Sequence, residues 1–340
     1  MINVLLTSAP MIRRVDQYSL RFQQCNLNVE IPIMENRQIL TENELINLIP
    51  KYDVWIVGDD NANYNVLQAG RSGNLKIVIK WGVGIDNIDR KAIDDLKLKF
   101  DYTPAMFGNE VADVALGYLL CLSRSLHTIN NKVKAGIWYK PCGISLYNKN
   151  VYLLGFGDIG RNIAKRLVSF GLKLYICDPF FSRDSNTGSI NYNGLYNPNI
   201  KIDQSVQDNT YDIYQDINNP DSLKALQNSD FLIICCILNE STFHAVNQNI
   251  LNHCKNGIKI INVSRGPIID ESALIDALEF NKISSVALDV FEKEPLSLES
   301  NLRKSEYDDR TIFGSHNSSN TMEAVDATSN LVIDKIIGFL

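Results

Sequence analysis

Residues Val151 to Gly160 read VYLLGFGDIG, a short apolar run that breaks at Gly155, Gly157 and Gly160 and then opens into the helical stretch Arg161 to Phe170. That succession reads as a dinucleotide-binding turn, and its chemistry lies in the main chain. The first glycine permits a tight strand-to-helix turn, the second lets a pyrophosphate approach the backbone, and the third lets helix and strand pack closely. The phosphates then meet free N–H groups at the helix N-terminus, with Asp158 and Ile159 between the glycines. A glycine pattern of this kind also occurs in plain structural turns, so the context decides. A second strand, Leu172 to Cys177, delivers Asp178 at its end, 18 residues after Gly160. The expected interval to the acid that grips the adenosine ribose is about 20 residues. A carboxylate there accepts from the 2′-hydroxyl and repels a 2′-phosphate, and the following Pro179, Phe180 and Phe181 offer no cation. NAD is the expected cofactor, ahead of NADP.

A chain of 340 residues suggests two domains of ordinary size. Its formal net charge of −6 leaves no basic footprint for nucleic acid or for an anionic membrane surface, so small-molecule partners are expected. The opening residues MINVLLTSAP lack a cationic region, a long apolar core and a small-residue cleavage site. No apolar run reaches the roughly 18 residues of a membrane span, and a cytoplasmic protein is expected. The 7 cysteines show neither a CxxC pair nor zinc-type spacing. They read as reduced core thiols, with no metal site.

Two rounds of α/β alternation run along the sequence. Strand-like runs at Asn3 to Thr7, Asn28 to Ile33, Val54 to Val57, Leu75 to Ile79 and Leu98 to Tyr102 suggest a small doubly wound domain. A long apolar-rich helix over Asn109 to Lys134 leads into the glycine turn. After Asp178, strands are predicted at Asp230 to Cys236, Ile258 to Val263, Ser284 to Val290 and Thr311 to Phe313, with helices beginning near Asn247 and Asp270. These complete a dinucleotide-binding sheet. The stretch Ser182 to Asn219 is rich in Asn, Asp, Tyr, Ser and Gly, without helical or strand periodicity. It reads as a long surface loop, a lid over the adenosine end of the cofactor, or an oligomer contact.

Three downstream patches carry candidate catalytic side chains. NVSRG at Asn262 to Gly266 places Arg265 at the carboxyl edge of the sheet, where ligands collect in open α/β folds and a guanidinium can hold a carboxylate or a polarised carbonyl. ALDVFEKEP at Ala287 to Pro295 closes a strand on Asp289 and projects Glu294 from the loop beyond it. GSHN at Gly314 to Asn317 sets His316, one of 4 histidines, in a polar loop at a strand end. Taken singly, Arg265 also reads as an ion-pair partner, Glu294 as a solvated acid and His316 as a loop cap. His127, His244 and His253 read as structural or exposed. Cys235 and Cys236 end a buried strand with no nucleophile signature around them.

With these patches in order, the chain resembles the D-isomer-specific 2-hydroxyacid dehydrogenase family over essentially its whole length. The matching segments are WGVGIDNID at Trp81 to Asp89, GNEVADVALGYLL at Gly108 to Leu120, GFGDIG at Gly155 to Gly160, NVSRGPIIDESALIDAL at Asn262 to Leu278, and ALDVFEKEPL at Ala287 to Leu296. The resemblance implies two doubly wound α/β domains, a Rossmann NAD-binding domain and a smaller flavodoxin-like substrate domain. The NAD-binding domain would span 103–320, with an insertion near 182–219. The substrate domain would be discontinuous, 1–102 plus about 321–340. Arg265, Glu294 and His316 become the catalytic set, and the substrate carboxylate docks on N–H groups around Val83 and Gly84. Asp289 is implied to contact the nicotinamide carboxamide, Asp158 and Ile159 the pyrophosphate, and Cys236 and Ser264 to line the cofactor.

The implied activity is NAD-dependent interconversion of a D-2-hydroxy acid and its 2-keto acid, in a homodimer formed through the long helix. Reducing a ketone by hydride places charge on the carbonyl oxygen, which needs a proton donor and a fixed positive neighbour. Protonated His316 and Arg265 suit those parts. D-3-phosphoglycerate dehydrogenase is one reading, glyoxylate or hydroxypyruvate reductase another, and a non-catalytic NAD(H)-sensing scaffold a third. VGDDN at Val57 to Asn61 departs from phosphoglycerate-binding members, which often carry arginine there; Asp59 and Asp60 would repel a phosphate unless Lys80 or a partner's cation compensates. Gly314 and Ser315 also stand where the family often has proline before the histidine.

Overall fold

The computed structural model describes residues 1–34, 37–184, 187–194 and 200–340. Its fold divides into two compact units, Met1–Phe107 with Asn320–Leu340, and Gly108–Ser319.

The smaller unit is built on five parallel strands: β1 Ile2–Leu6, β2 Leu27–Glu30, β3 Val54–Val57, β4 Ile77–Lys80 and β5 Lys99–Tyr102, in the order β2-β1-β3-β4-β5. That is the flavodoxin-like order. Every residue of β3 and β4 is buried. Such continuous apolar runs are what a parallel strand covered on both faces requires. The helix Met322–Phe339 belongs to this unit and buries Ala324, Val325, Val332, Ile333 and Ile336. Its polar edge is fastened too: Asp326 accepts from Arg14 at 2.6 Å and from the Tyr18 hydroxyl at 2.5 Å, and the Trp81 indole donates to Ser329 Oγ at 3.1 Å.

The larger unit holds seven parallel strands: β6 Asn150–Leu154, β7 Lys173–Cys177, β10 Thr210–Tyr214, β11 Phe231–Ile234, β12 Ile258–Asn262, β13 Ile283–Leu288 and β14 Thr311–Phe313. A separate antiparallel pair is formed by β8 Phe181–Arg183 and β9 Ile190–Tyr192. The main sheet runs β10-β7-β6-β11-β12-β13-β14, so strand order reverses between β6 and β11. Ligands of open α/β sheets bind at the carboxyl ends of the strands at such a reversal. Helix Asp158–Ser169 buries Gly160, Ile163, Ala164 and Leu167, a one-faced spacing that seats it on the sheet. Helix Glu271–Glu279 buries Ala273, Leu274, Ala277 and Leu278 and is capped by Asp270, whose carboxylate accepts from the Ala273 N–H at 3.1 Å.

Two expectations need correction. The single helix over Asn109 to Lys134 is two helices, Gly108–Arg124 and Leu126–Lys134, because Ser125 takes a left-handed backbone (φ 51°) that an α-helix cannot carry through. The stretch Ser182 to Asn219 is not featureless. It carries most of β8, all of β9, the helix Gln204–Asn209 and β10, although 185–186 and 195–199 lie outside the described residues. β10 escapes a periodicity reading because it is an edge strand, mostly exposed or half-buried, with an irregular register between Thr210 and Asp212.

Candidate active site

The glycine turn forms at the point of strand reversal. Gly155 takes φ +102°, and a Cβ there would stand 2.5 Å from the Cys236 backbone nitrogen, in the segment leaving β11. Only glycine satisfies both demands. Gly160 lies against Gly155, where a Cβ would come within 2.4 Å of the Gly155 carbonyl oxygen. Gly157, the N-cap of helix Asp158–Ser169, is different: a Cβ on it would meet nothing within 4 Å, and it supplies no capping side chain. The geometry fits a pyrophosphate over the first N–H groups of that helix.

Asp178 follows β7 and is buried. Its Oδ2 accepts the Phe156 N–H at 2.7 Å and its Oδ1 the Phe180 N–H at 2.9 Å. Each carboxylate oxygen keeps a lone pair for a ribose hydroxyl. Burial raises its pKa, opposed by those two N–H groups and by Arg161. Arg161 is a cation near this carboxylate that the sequence reading did not weigh. Its guanidinium donates to the Phe156 carbonyl at 3.2 Å and faces Asp158 at 3.9 Å. Ser264 and Cys236 meet across the ends of β12 and β11, the Ser264 hydroxyl donating to the Cys236 carbonyl. Burial pushes the Cys236 thiol up to about 12 and the Cys235 thiol well above its ordinary value, so neither is a thiolate nucleophile near neutrality. All 7 cysteines are free, but Cys142 is exposed rather than a core thiol.

Arg265, Glu294 and His316 come together at the carboxyl edge of β12, β13 and β14. Asn262, fully buried, sets the first of them: its amide donates to the Arg265 carbonyl at 2.9 Å and accepts from the Ser264 N–H at 3.0 Å. Glu294 Oε1 accepts the Phe291 N–H at 3.0 Å, which aims Oε2 at His316 Nδ1, 2.8 Å away. The other ring nitrogen, Nε2, lies 3.5 Å from an Arg265 guanidinium nitrogen. His316 holds a left-handed backbone, φ +55°. Such a conformation in a non-glycine residue needs outside support.

Asp289 gives that support. It is 2% exposed. Its carbonyl accepts the His316 N–H at 2.7 Å, Oδ2 accepts the Ser318 N–H at 3.0 Å, and Oδ1 accepts the Tyr118 hydroxyl at 3.3 Å. Gly314 explains its own departure from the family pattern, since a Cβ there would lie 2.0 Å from Asp289 Oδ1. Tyr118 and Asn262 are supporting residues that the sequence reading quoted within motifs without assigning them a role. Val83 and Gly84 belong to the smaller unit, in the turn after β4; the neighbouring Gly82 N–H donates to Thr103 Oγ1 at 2.9 Å.

The family model for the D-isomer specific 2-hydroxyacid dehydrogenase NAD-binding domain matches residues 116–197 and 196–318. This chain belongs to the D-isomer-specific 2-hydroxyacid dehydrogenase family. The dehydrogenase is 31% identical to the hydroxypyruvate reductase of Thermotoga maritima over 300 residues, covering 87% of this chain and 88% of that one. It is 28% identical to the D-3-phosphoglycerate dehydrogenase of Methanocaldococcus jannaschii over 87% of its own length, but over only 51% of that protein. Its fold matches the D-lactate dehydrogenase of Aquifex aeolicus, solved with NAD and lactic acid, with a TM-score of 0.77 at 20% identity, covering 99% and 95% of the two chains. This D-2-hydroxyacid dehydrogenase is an NAD-dependent oxidoreductase.

Proposed function

We propose that the dehydrogenase reduces hydroxypyruvate or glyoxylate in preference to a phosphorylated keto acid, with Arg265, Glu294 and His316 as its catalytic set. The observation that carries the catalytic reading is the chain of contacts Glu294–His316–Arg265, at 2.8 Å and 3.5 Å, on three consecutive strand ends. When bound, NADH supplies hydride to the carbonyl carbon. Glu294 steadies the protonated ring through Nδ1, which leaves Nε2 to deliver its proton to the developing alkoxide. Arg265 holds the substrate carboxylate and offsets charge on the carbonyl oxygen. In oxidation the neutral ring takes the proton back. Gly155, Gly157, Asp158, Ile159 and Gly160 are the proposed pyrophosphate cradle, Asp178 the ribose acceptor, and Cys236, Ser264 and Asp289 the lining of the nicotinamide end. Val83 and Gly84 of the smaller unit are proposed carboxylate donors.

The substrate preference rests on Lys80, the cation considered above as a phosphate partner. Its side chain is 4% exposed and is already engaged, by the Asp59 carboxylate at 3.3 Å and by the Gly58 carbonyl. A dianionic phosphate would compete with an existing partner. The test is NADH oxidation, followed by absorbance, against hydroxypyruvate, glyoxylate, pyruvate and 3-phosphohydroxypyruvate. Highest kcat/KM for 3-phosphohydroxypyruvate would overturn the preference. In parallel, Glu294→Gln is expected to lower reductive kcat/KM. An unchanged kcat/KM removes Glu294 from the catalytic set.

Assembly as a cytoplasmic homodimer belongs to the same proposal. Leu126, Val133, Ile137, Trp138 and Tyr147 are exposed, Trp138 to 82%, in and after helix Leu126–Lys134. A run of apolar side chains left on the surface marks an interaction face. Free cysteines suit a reducing compartment. Among the described residues, no helix is long and apolar enough to cross a membrane.

A further inference from the structure

The loop that carries Glu294 contains a second histidine–carboxylate pair. Glu292 Oε1 lies 2.8 Å from His244 Nε2 and also accepts the N–H of Glu271, the first residue of helix Glu271–Glu279, at 3.0 Å. His244 is fastened at its other end. Its backbone N–H donates to the Pro267 carbonyl at 2.8 Å, and two residues on the Val246 N–H donates to the Ile268 carbonyl at 3.0 Å. Both acceptors lie in the 3-10 turn Gly266–Ile268, which begins immediately after Arg265. The two loops touch through their main chains as well: a Cβ on Gly266 would fall 1.8 Å from the Phe291 carbonyl carbon and 2.3 Å from the Glu292 nitrogen.

His244 therefore grips the Arg265 turn with its backbone and the Glu294 loop with its ring. It does so from a left-handed backbone, φ +50°. A non-glycine residue holds that region at an energetic disadvantage, and observed outliers of this kind collect where geometry serves function. The Phe243 ring stacks on the imidazole with centroids 4.1 Å apart, restricting how the ring can turn. The His244 and Glu292 side chains are 34% and 35% exposed. Ion pairs with that much solvent access contribute little to stability. Anchorage of the fold is thus a poor account of a clasp tied at four points.

We propose that His244 is a positioning residue: through Glu292 it holds the segment Phe291–Glu294 against the turn after Arg265, and so sets the spacing of Glu294, His316 and Arg265. This deepens the catalytic reading above and rests on it. His244→Asn is the informative change, because asparagine tolerates the left-handed backbone while its short amide cannot reach Glu292. His244→Gln is the rescue, since its longer amide can still donate to the Glu292 carboxylate.

The experiment compares wild type, His244→Asn, His244→Gln, Glu292→Ala and the double variant His244→Asn/Glu292→Ala. The full chain is used, with NADH and whichever acid of the four-member panel wild type reduces fastest. A displacement of about 1 Å in a catalytic group can lower rate by as much as roughly 100-fold. For a clasp acting through two intermediate residues, the expected loss in kcat for His244→Asn is on the order of tenfold. KM for NADH should stay within about twofold, His244→Gln should recover most of the rate, and the double variant should lose no more than the worse single. An unchanged kcat in His244→Asn overturns the proposal. So do losses that multiply in the double variant, or a His244→Gln enzyme as slow as His244→Asn. A general loss of folding would appear in circular dichroism and would raise KM for NADH along with the fall in kcat; that outcome assigns the pair to stability and equally overturns positioning. Glu294→Gln is assayed beside them. If it retains full turnover, the catalytic reading itself has failed, whereas a slow Glu294→Gln with an unaffected His244→Asn isolates the failure to the clasp.

Discussion

Replacing Asp178 by alanine would separate cofactor recognition from fold, because the carboxylate that holds the Phe156 and Phe180 N–H groups is also the proposed ribose acceptor, and the two effects have different sizes. Phe156 is fully buried, and its N–H has Asp178 Oδ2 as acceptor at 2.7 Å. Removing that acceptor strands a buried donor, which costs about 1–3 kcal/mol. Phe180 is 51% exposed, so water replaces the acceptor for its N–H with little loss. For a unit the size of Gly108–Ser319, each kcal/mol corresponds to about 2–4 °C in Tm. Because burial already disfavours the ionised Asp178, relief of that desolvation partly offsets the loss, and the fall in Tm should lie toward the lower end of this range. Binding should suffer more. A hydrogen bond to a charged acceptor contributes about 1.5–3 kcal/mol, so the Kd of NADH should rise roughly 10- to 100-fold. NADPH binding should not weaken, since a repelling carboxylate has gone. Calorimetric titration with both nucleotides near neutral pH, and a thermal melt without them, give the three numbers. A lowered Tm with an unchanged Kd for NADH would refute the reasoning and leave Asp178 as a turn anchor only.

Arg265→Ala should cost about 2–4 kcal/mol of transition-state stabilisation, read as a fall in kcat/KM with little change in Tm. Gly314→Ala should lower Tm and kcat together, because its Cβ would overlap Asp289 Oδ1 and displace the loop that carries His316; normal melting and turnover would contradict the crowding seen there. Acidification should weaken NADH binding at a pH above the ordinary aspartate range near 3.9, since burial raises the Asp178 pKa and a protonated carboxyl loses acceptor capacity. The stability contribution runs the other way, being present at low pH and lost as pH rises through the raised value. Titrations at stepped pH with Asp178→Asn, which should be flat, check the sign. Trp138→Lys should shift sedimentation toward a monomer if the exposed run around helix Leu126–Lys134 is the dimer face.

Much of this site was legible because its chemistry is local in sequence. The glycine turn, the acid at the end of β7 and the strand-end patches around Arg265, Asp289, Glu294 and His316 each announce themselves within a few residues. Strands β3 and β14 fall on the residues expected from their apolar runs, and the remaining predicted strands are displaced by a few residues at their ends. The part that resisted reading depends on pairing between distant segments. β10 has too little burial of its own to look like a strand and exists because β7 offers it an edge. The break at Ser125 is a backbone event that no side-chain pattern records. His244 looked like any other exposed or structural histidine, since nothing in the residues around it points to Glu292, 48 positions away.

The last helix carries a consequence for how the molecule comes into being. Met322–Phe339 completes a unit whose five-stranded sheet is made entirely before Gly108, and the contact between Arg14 and Asp326 spans 312 positions of chain. Synthesis runs from the N-terminus, and domains fold as units as they emerge. Within this chain the unit begun earlier is therefore finished later, with β4 and β5 uncovered where the helix will pack while the continuous unit Gly108–Ser319 is made and folds. Loss of the turns that carry Val332, Ile333 and Ile336 would be felt far earlier in the chain, in the packing of β4.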